Sequence, residues 1–288
     1  MAFAVRRNDL PVRTSRRITT TVAAFLFVAA AVLGDSRAVS AESGRAWLGV
    51  ELEQVLGSKR GVRVRHTVRS SPAWNAGVRD GDVILRVEQV AASRPDDVIH
   101  EVGNHAPGSS VKLSLVRGAD VLALSVTLAE MPDSDEMLRL DKVGLPAPSW
   151  QNNIATVSGA LPEGVQALRG RVVLLDFWAT WCVACRMSAP KLTSWQAKFG
   201  AQGLSVIGIT DDPVVEASQG VTSFGMKYAA VATDPTYATQ RAFGVRALPT
   251  VFVIDKRGVI RDVSVGFDPR REAEIERLLV RLLAEAGP

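Results

Sequence analysis

Residues 172–178 read Val-Val-Leu-Leu-Asp-Phe-Trp, and four positions later come the chain's only two cysteines, in Trp181-Cys182-Val183-Ala184-Cys185. A short, β-rich apolar run of this kind is what a strand buried on both faces needs. Residues 186–199 then read as a helix. The cysteine pair therefore falls at a strand-to-helix junction, where the first helical N–H groups and the helix dipole stabilise a thiolate. From about residue 141 onward strands alternate with helices, which calls for a mixed sheet covered by helices on both faces.

Two other readings of the pair can be weighed. A structural disulfide between Cys182 and Cys185 closes so short a loop that chain entropy yields roughly 2 kcal/mol, against about 4–5 kcal/mol for a loop of a hundred residues. A chain stapled by its only cysteines would be expected to set them further apart. A zinc site needs four ligands, yet the three histidines, His66, His100 and His105, all lie in the first half. Redox chemistry is the favoured reading, with no metal and no organic cofactor expected.

The chain opens with Arg6, Arg7, Arg13, Arg16 and Arg17, followed by an uncharged apolar run over residues 18–34 and small residues in Ala38-Val39-Ser40-Ala41. This three-part layout is that of a secretory signal peptide over residues 1–41, cut before Glu42. An uncleaved membrane anchor is the alternative, although the apolar run is slightly short for a span and holds three threonines. The expected location is periplasmic or otherwise extracytoplasmic. Residues 1–41 hold six arginines and two aspartates, so they account for the whole net charge of +4. The remainder is neutral, which removes the basic surface that nucleic-acid binding would require.

A polar seam, Met131-Pro132-Asp133-Ser134-Asp135-Glu136, is read as a linker over residues 131–140. Before it, residues 46–52 alternate as one strand, 61–66 as another and 83–87 as a third. Residues 71–78 form a short helical turn, 95–104 a helix, and 111–116 with 121–128 a hairpin. This order, and the segment SPAWNAGVRDGDVILRV above all, resembles a PDZ domain of the bacterial type found in envelope proteases, over residues 45–130. The resemblance implies a small, mainly-β peptide-binding module. Leu48-Gly49-Val50 matches its carboxylate-binding loop, where successive N–H groups receive a peptide's C-terminal carboxylate while the peptide adds a strand beside residues 50–53. Val98 and Val102 would line the groove, or simply pack the core. Nothing in this half looks hydrolytic.

Over residues 141–288 the chain resembles the thioredoxin family. LLDFWATWCVACRMSAP matches the active-site strand and helix, with Pro190 kinking the helix. GVRALPT matches the loop that carries a cis-proline, Pro249. Together with the lead-in GLPAPSWQ, these motifs are most similar to the extracytoplasmic thiol-disulfide oxidoreductases of the TlpA/ResA type. The resemblance implies an α/β thioredoxin fold. Cys182 would then be the attacking thiolate and Cys185 the resolving thiol. Pro249 would place the Leu248 backbone beside Cys182 to pair with the partner's chain, and Trp181 would shield one side of the site, or merely pack, while Trp178 belongs to the core.

Asp176 lies six residues before Cys182, where thioredoxin itself has a buried acid. A buried carboxyl with a raised pKa can take the proton from the resolving thiol; the alternative is a satisfied structural polar group. Much of the TlpA/ResA branch instead carries a glutamate at the position of Ser188. Val183 and Ala184 offer no charge or ring donor between the cysteines, which favours a reducing couple. The expected function is extracytoplasmic reduction of protein disulfides by Cys182/Cys185 exchange. Its partners would be cysteine-containing envelope proteins, an upstream membrane electron donor and a C-terminal peptide on the PDZ-like module. The competing reading is a peptide-binding adaptor whose second half is scaffold or redox-regulated.

Overall fold

The computed structural model describes residues 44–55, 61–150 and 154–288. The expected signal peptide lies outside the described residues. Among those described, no helix is long and apolar enough to cross a membrane.

The N-terminal half holds β1 (Ala46–Trp47), β2 (Val50–Gln54), β3 (Val62–Thr67), α1 (Pro72–Asn75), β4 (Val83–Val87), β5 (Val90–Ala91), α2 (Pro95–Gly103), β6 (Ser110–Arg117), β7 (Asp120–Thr127) and β8 (Ala129–Glu130). Its antiparallel sheet runs β2-β3-β4-β6-β7, with β5 beside β4 and β1 paired to β8. Val62, Val64, Ile84, Val111 and Leu115 are fully buried, because alternate residues of these strands face one side. Val98 and Val102 of α2 close over them.

The alternation over residues 46–52 had suggested one strand, but the structure breaks it at Leu48-Gly49. Gly49 has φ +86, and a Cβ there would lie 2.1 Å from the Ser71 Cβ. Only glycine fits a left-handed backbone pressed against a neighbour.

The polar seam is not an open linker: it leads into α3 (Ser134–Lys142). Asp133 caps this helix by accepting from the Glu136 N–H at 2.8 Å. Arg139 reaches Asp135 within α3 at 2.8 Å and Asp262 on a later strand at 2.9 Å. At the other end, Asp141 accepts from His66 of β3 at 2.8 Å and lies 2.8 Å from the Lys142 ammonium. Burial opposes the Asp141 charge, but these two donors outweigh it and hold the carboxyl at about pKa 2. The same bond raises the His66 pKa, against the cost of burying the imidazolium. α3 thus joins both halves by charged contacts.

The C-terminal half continues with β9 (Ala155–Gly159), β10 (Val172–Phe177), α4 (Val183–Phe199), β11 (Leu204–Thr210), α5 (Val214–Ser223), β12 (Ala230–Thr233), α6 (Ala238–Phe243), β13 (Thr250–Ile254), β14 (Ile260–Val265) and α7 (Pro269–Ala284). The sheet order is β14-β13-β10-β11-β12-β9. β10, β11 and β12 are parallel, whereas β9, β13 and β14 run antiparallel to their neighbours. Every residue of β10 is buried, as the apolar run demanded. Val172 and Leu174 pack with Leu192 and Trp195 of α4 and Leu279 of α7, while Val173, Leu175 and Phe177 face Phe243 of α6. The mixed sheet covered on both faces, with the smaller mainly-β unit before it, is the expected architecture.

Candidate active site

The site is built where β10 ends. After Phe177 the chain turns through Trp178-Ala179-Thr180-Trp181 and enters α4 with Cys182 as N-cap. The Cys185 N–H donates to Cys182 Sγ at 3.0 Å, so one of the helix's otherwise unpartnered amides points at the sulfur. No acidic residue lies in the helix's first turn to oppose a thiolate. The two cysteines form a disulfide with their Cα atoms 5.2 Å apart. Cys182 is 6% exposed and Cys185 1%, so the first cysteine is the more exposed of two buried residues.

Trp178 lies beneath the pair, fully buried against Phe224 at a ring separation of 5.7 Å. A Cβ on Gly220 of α5 would come within 2.8 Å of the Trp178 ring, so α5 approaches only because that residue is glycine. The turn is pinned by Asp212, whose carboxylate accepts from the Thr180 N–H at 2.6 Å and the Thr210 hydroxyl at 3.0 Å. The sequence reading did not single out Asp212. An aspartate after a strand is a local signal, but its partner lies thirty-two residues away.

Asp176 is 1% exposed on β10, and its place in the strand's alternation puts it on the face covered by α4. Its Oδ2 accepts from the Tyr228 hydroxyl at 3.0 Å, while its Oδ1 is buried without a partner among the described residues. Burial pushes the carboxyl up to about pKa 7, against the opposing hydrogen bond from Tyr228. Tyr228 itself packs against the cluster that contains both cysteines. It was missed because nothing local marks one tyrosine as the partner of an acid fifty-two residues earlier.

The Leu248–Pro249 peptide bond is cis. Leu248 packs against the same cysteine-containing cluster, so this loop, Asp176's partner and the disulfide meet at one place. Ser188 donates to the Cys185 carbonyl at 3.0 Å. Trp181 is 70% exposed, together with Val183 at 75% and Met187 at 56%. Trp181 precedes α4, and Val183 and Met187, four residues apart, share one face of its first two turns.

The peptide-groove residues gather elsewhere. Leu48, Gly49, Val50, Val98 and Val102 line a cavity of about 240 Å³ between β2 and α2. Val98 and Val102 serve both uses weighed for them, since they line the groove and belong to the core. Among the described residues no group of histidine, cysteine or acidic side chains is arranged to hold a metal.

Comparison with known proteins covers both halves. The Redoxin family model matches residues 142–279, and the PDZ domain model matches residues 46–128. Thioredoxin-like protein YneN of Bacillus subtilis is 30% identical over 135 residues, which span 46% of this chain and 76% of YneN. Thiol:disulfide interchange protein DsbE of Xylella fastidiosa is 34% identical over 155 residues, 54% of this chain and 73% of DsbE. Protein DipZ of Mycobacterium bovis is 30% identical over 190 residues, 63% of this chain but only 26% of DipZ. The chain thus spans about a quarter of the length of the DipZ protein it matches.

Proposed function

The chain belongs to the thioredoxin-like thiol-disulfide oxidoreductases and carries a PDZ domain, and on that premise we propose that it reduces disulfides of proteins outside the cytoplasm. The observation that carries this reading is the Cys182–Cys185 disulfide at the start of α4, packed with Leu248 of the cis-Pro249 loop and with Tyr228, the hydrogen-bond partner of the buried Asp176. The extracytoplasmic location rests on the basic, apolar and small-residue layout of residues 1–41.

In the proposed cycle the Cys182 thiolate attacks one sulfur of a substrate disulfide. A mixed disulfide forms, and the other substrate sulfur leaves as thiolate. Cys185 then loses its proton to the Asp176 carboxylate and attacks Cys182 Sγ. The second substrate thiolate leaves, the enzyme disulfide closes, and two electrons have passed to the substrate. A membrane-side dithiol donor would restore the reduced pair. The exposed Trp181, Val183 and Met187 would receive the protein partner, whose backbone would pair beside Leu248. The PDZ domain would hold a substrate by its C-terminal tail, raising its concentration at the disulfide.

Direction follows from what lies between the cysteines. Val183 and Ala184 give the reduced thiolate no charge or ring donor, and a well-stabilised thiolate is what makes a strong oxidant. Equilibration with glutathione redox buffers should give a potential more negative than about −200 mV, on the reductant side of a scale running from about −270 mV for thioredoxin to about −120 mV for DsbA. A value near −120 mV would overturn the assigned direction while leaving exchange chemistry intact.

A further inference from the structure

Besides its PDZ residues, the cavity between β2 and α2 is lined by Arg246, which belongs to the loop ending in Leu248–Pro249. Its guanidinium forms an ion pair with Glu51 of β2. We propose that Arg246 is a specificity-determining residue of the peptide groove, and that it selects C-terminal tails carrying an acidic side chain. The inference rests on the peptide-recruitment reading and deepens it.

Three observations carry it. The first is charge. The cavity lining is apolar except for Arg45, Arg246 and Glu51, so cations outnumber anions there. Glu51 is also bonded to Arg65 through its other oxygen, Oε2, whereas Arg246 holds Oε1. When Arg246 turns to a ligand carboxylate, Glu51 keeps a partner and no charge is stranded. The 63% exposure of the Arg246 side chain leaves that movement open.

The second is the free edge. Among the described residues β2 is the outermost strand of its sheet and pairs only with β3, so an extended tail can be added alongside it. The apolar wall it would meet includes Ile99 at 46% exposure and Met131 at 42%.

The third is the alternation of the strand. Val50 and Leu52 pack into the domain core, so Glu51, between them, faces the opposite side, where Arg246 stands. A tail paired with β2 alternates in the same way. Its last and third-from-last side chains enter the apolar groove, and the second- and fourth-from-last point toward Arg246. An acidic residue at one of these two positions is the predicted preference. Because Arg246 is only two residues from Leu248, about 7 Å of extended chain, such a tail would be read by the same loop that borders the disulfide.

The test uses the full chain and fluorescent octapeptides ending in a free-acid valine, with Glu, Gln or Lys placed in turn at each of the three positions before the last. Anisotropy should show Glu favoured over Gln by about two- to fivefold at the second- or fourth-from-last position, the scale of an exposed ion pair. In Arg246→Ala the ratio should fall to about one, and in Arg246→Glu the preference should pass to Lys. Binding that needs the free carboxylate yet shows no Glu preference, or a preference that survives in Arg246→Ala, overturns this inference and leaves recruitment standing. Amidated peptides that bind as well as free acids, or no binding by any peptide, overturn the recruitment reading itself and this inference with it.

Discussion

Cys182→Ala is expected to bring dithiothreitol-driven reduction of insulin down to the rate of dithiothreitol alone. Its sulfur receives the Cys185 N–H at the helix start, and Cys182 is the more exposed residue of the pair. Those are the conditions under which a thiol is held as a reactive thiolate. The loss cannot be put down to an unstapled fold. The disulfide closes a short loop whose entropic contribution is about 2 kcal/mol, and the reduced wild-type protein, which lacks the bond as well, supplies the stability control. Wild-type rates in this variant would remove Cys182 from the chemistry.

Asp176→Asn should produce two effects with opposite signs. Resolution of the mixed disulfide should slow on the order of 10²-fold near neutral pH, the usual contribution of a positioned proton acceptor. The deficit should narrow above about pH 9, where solvent deprotonates the thiol unaided. A merely structural role would lower the rate equally across the pH range. Stability should move the other way. The carboxyl titrates near 3.8 when unfolded and at about 7 when folded, so the folded state holds the extra proton between those values. Stability contributed by the neutral acid is complete below the unfolded value and is lost as pH rises through about 7. The loss is about 4 kcal/mol at roughly 1.4 kcal/mol per pKa unit. The difference in unfolding free energy between wild type and Asp176→Asn should therefore shift in favour of the variant by about that amount from pH 4 to pH 8. Chemical denaturation at both values checks it; a pH-independent difference would mean that the acid is not held protonated in the fold.

Much of this was legible because its determinants are local. The run over residues 172–177 is apolar at nearly every position, which only a strand buried on both faces tolerates, and all six residues are buried. The position of the cysteines after it marked the helix start, whereas the cis bond before Pro249 was expected only from the resemblance of GVRALPT to the thioredoxin family's loop. What the sequence hid depends on distant partners. The strand over residues 46–52 is broken by Gly49 meeting Ser71, an approach that alternation alone cannot reveal. The seam at residues 131–136 was read for its charge, although Asp133 and Glu136 also spell a helix start; contacts to Asp262 and His66 hold the helix in place. Trp181 sits on the solvent side because the short turn before α4 leaves Trp178 to fill the interior. Tyr228 and Arg246 carry no local signal, and the position of Asp212 after a strand does not name its distant partner. Each acquires its place only when the chain brings it to a residue far along the sequence.

In the proposed cycle Cys182 exchanges with protein disulfides and Cys185 resolves the product. Cys185→Ala, reduced and then mixed with insulin, isolates the first step, since the Cys182 thiolate can displace one insulin sulfur but no second cysteine of the enzyme remains to resolve the adduct. Non-reducing mass analysis should show one insulin molecule, its two chains still joined by the remaining interchain disulfide, bound per protein through Cys182, released by dithiothreitol and absent from the Cys182→Ala variant. An unmodified Cys185→Ala protein, or an adduct of equal yield in Cys182→Ala, would contradict that cycle.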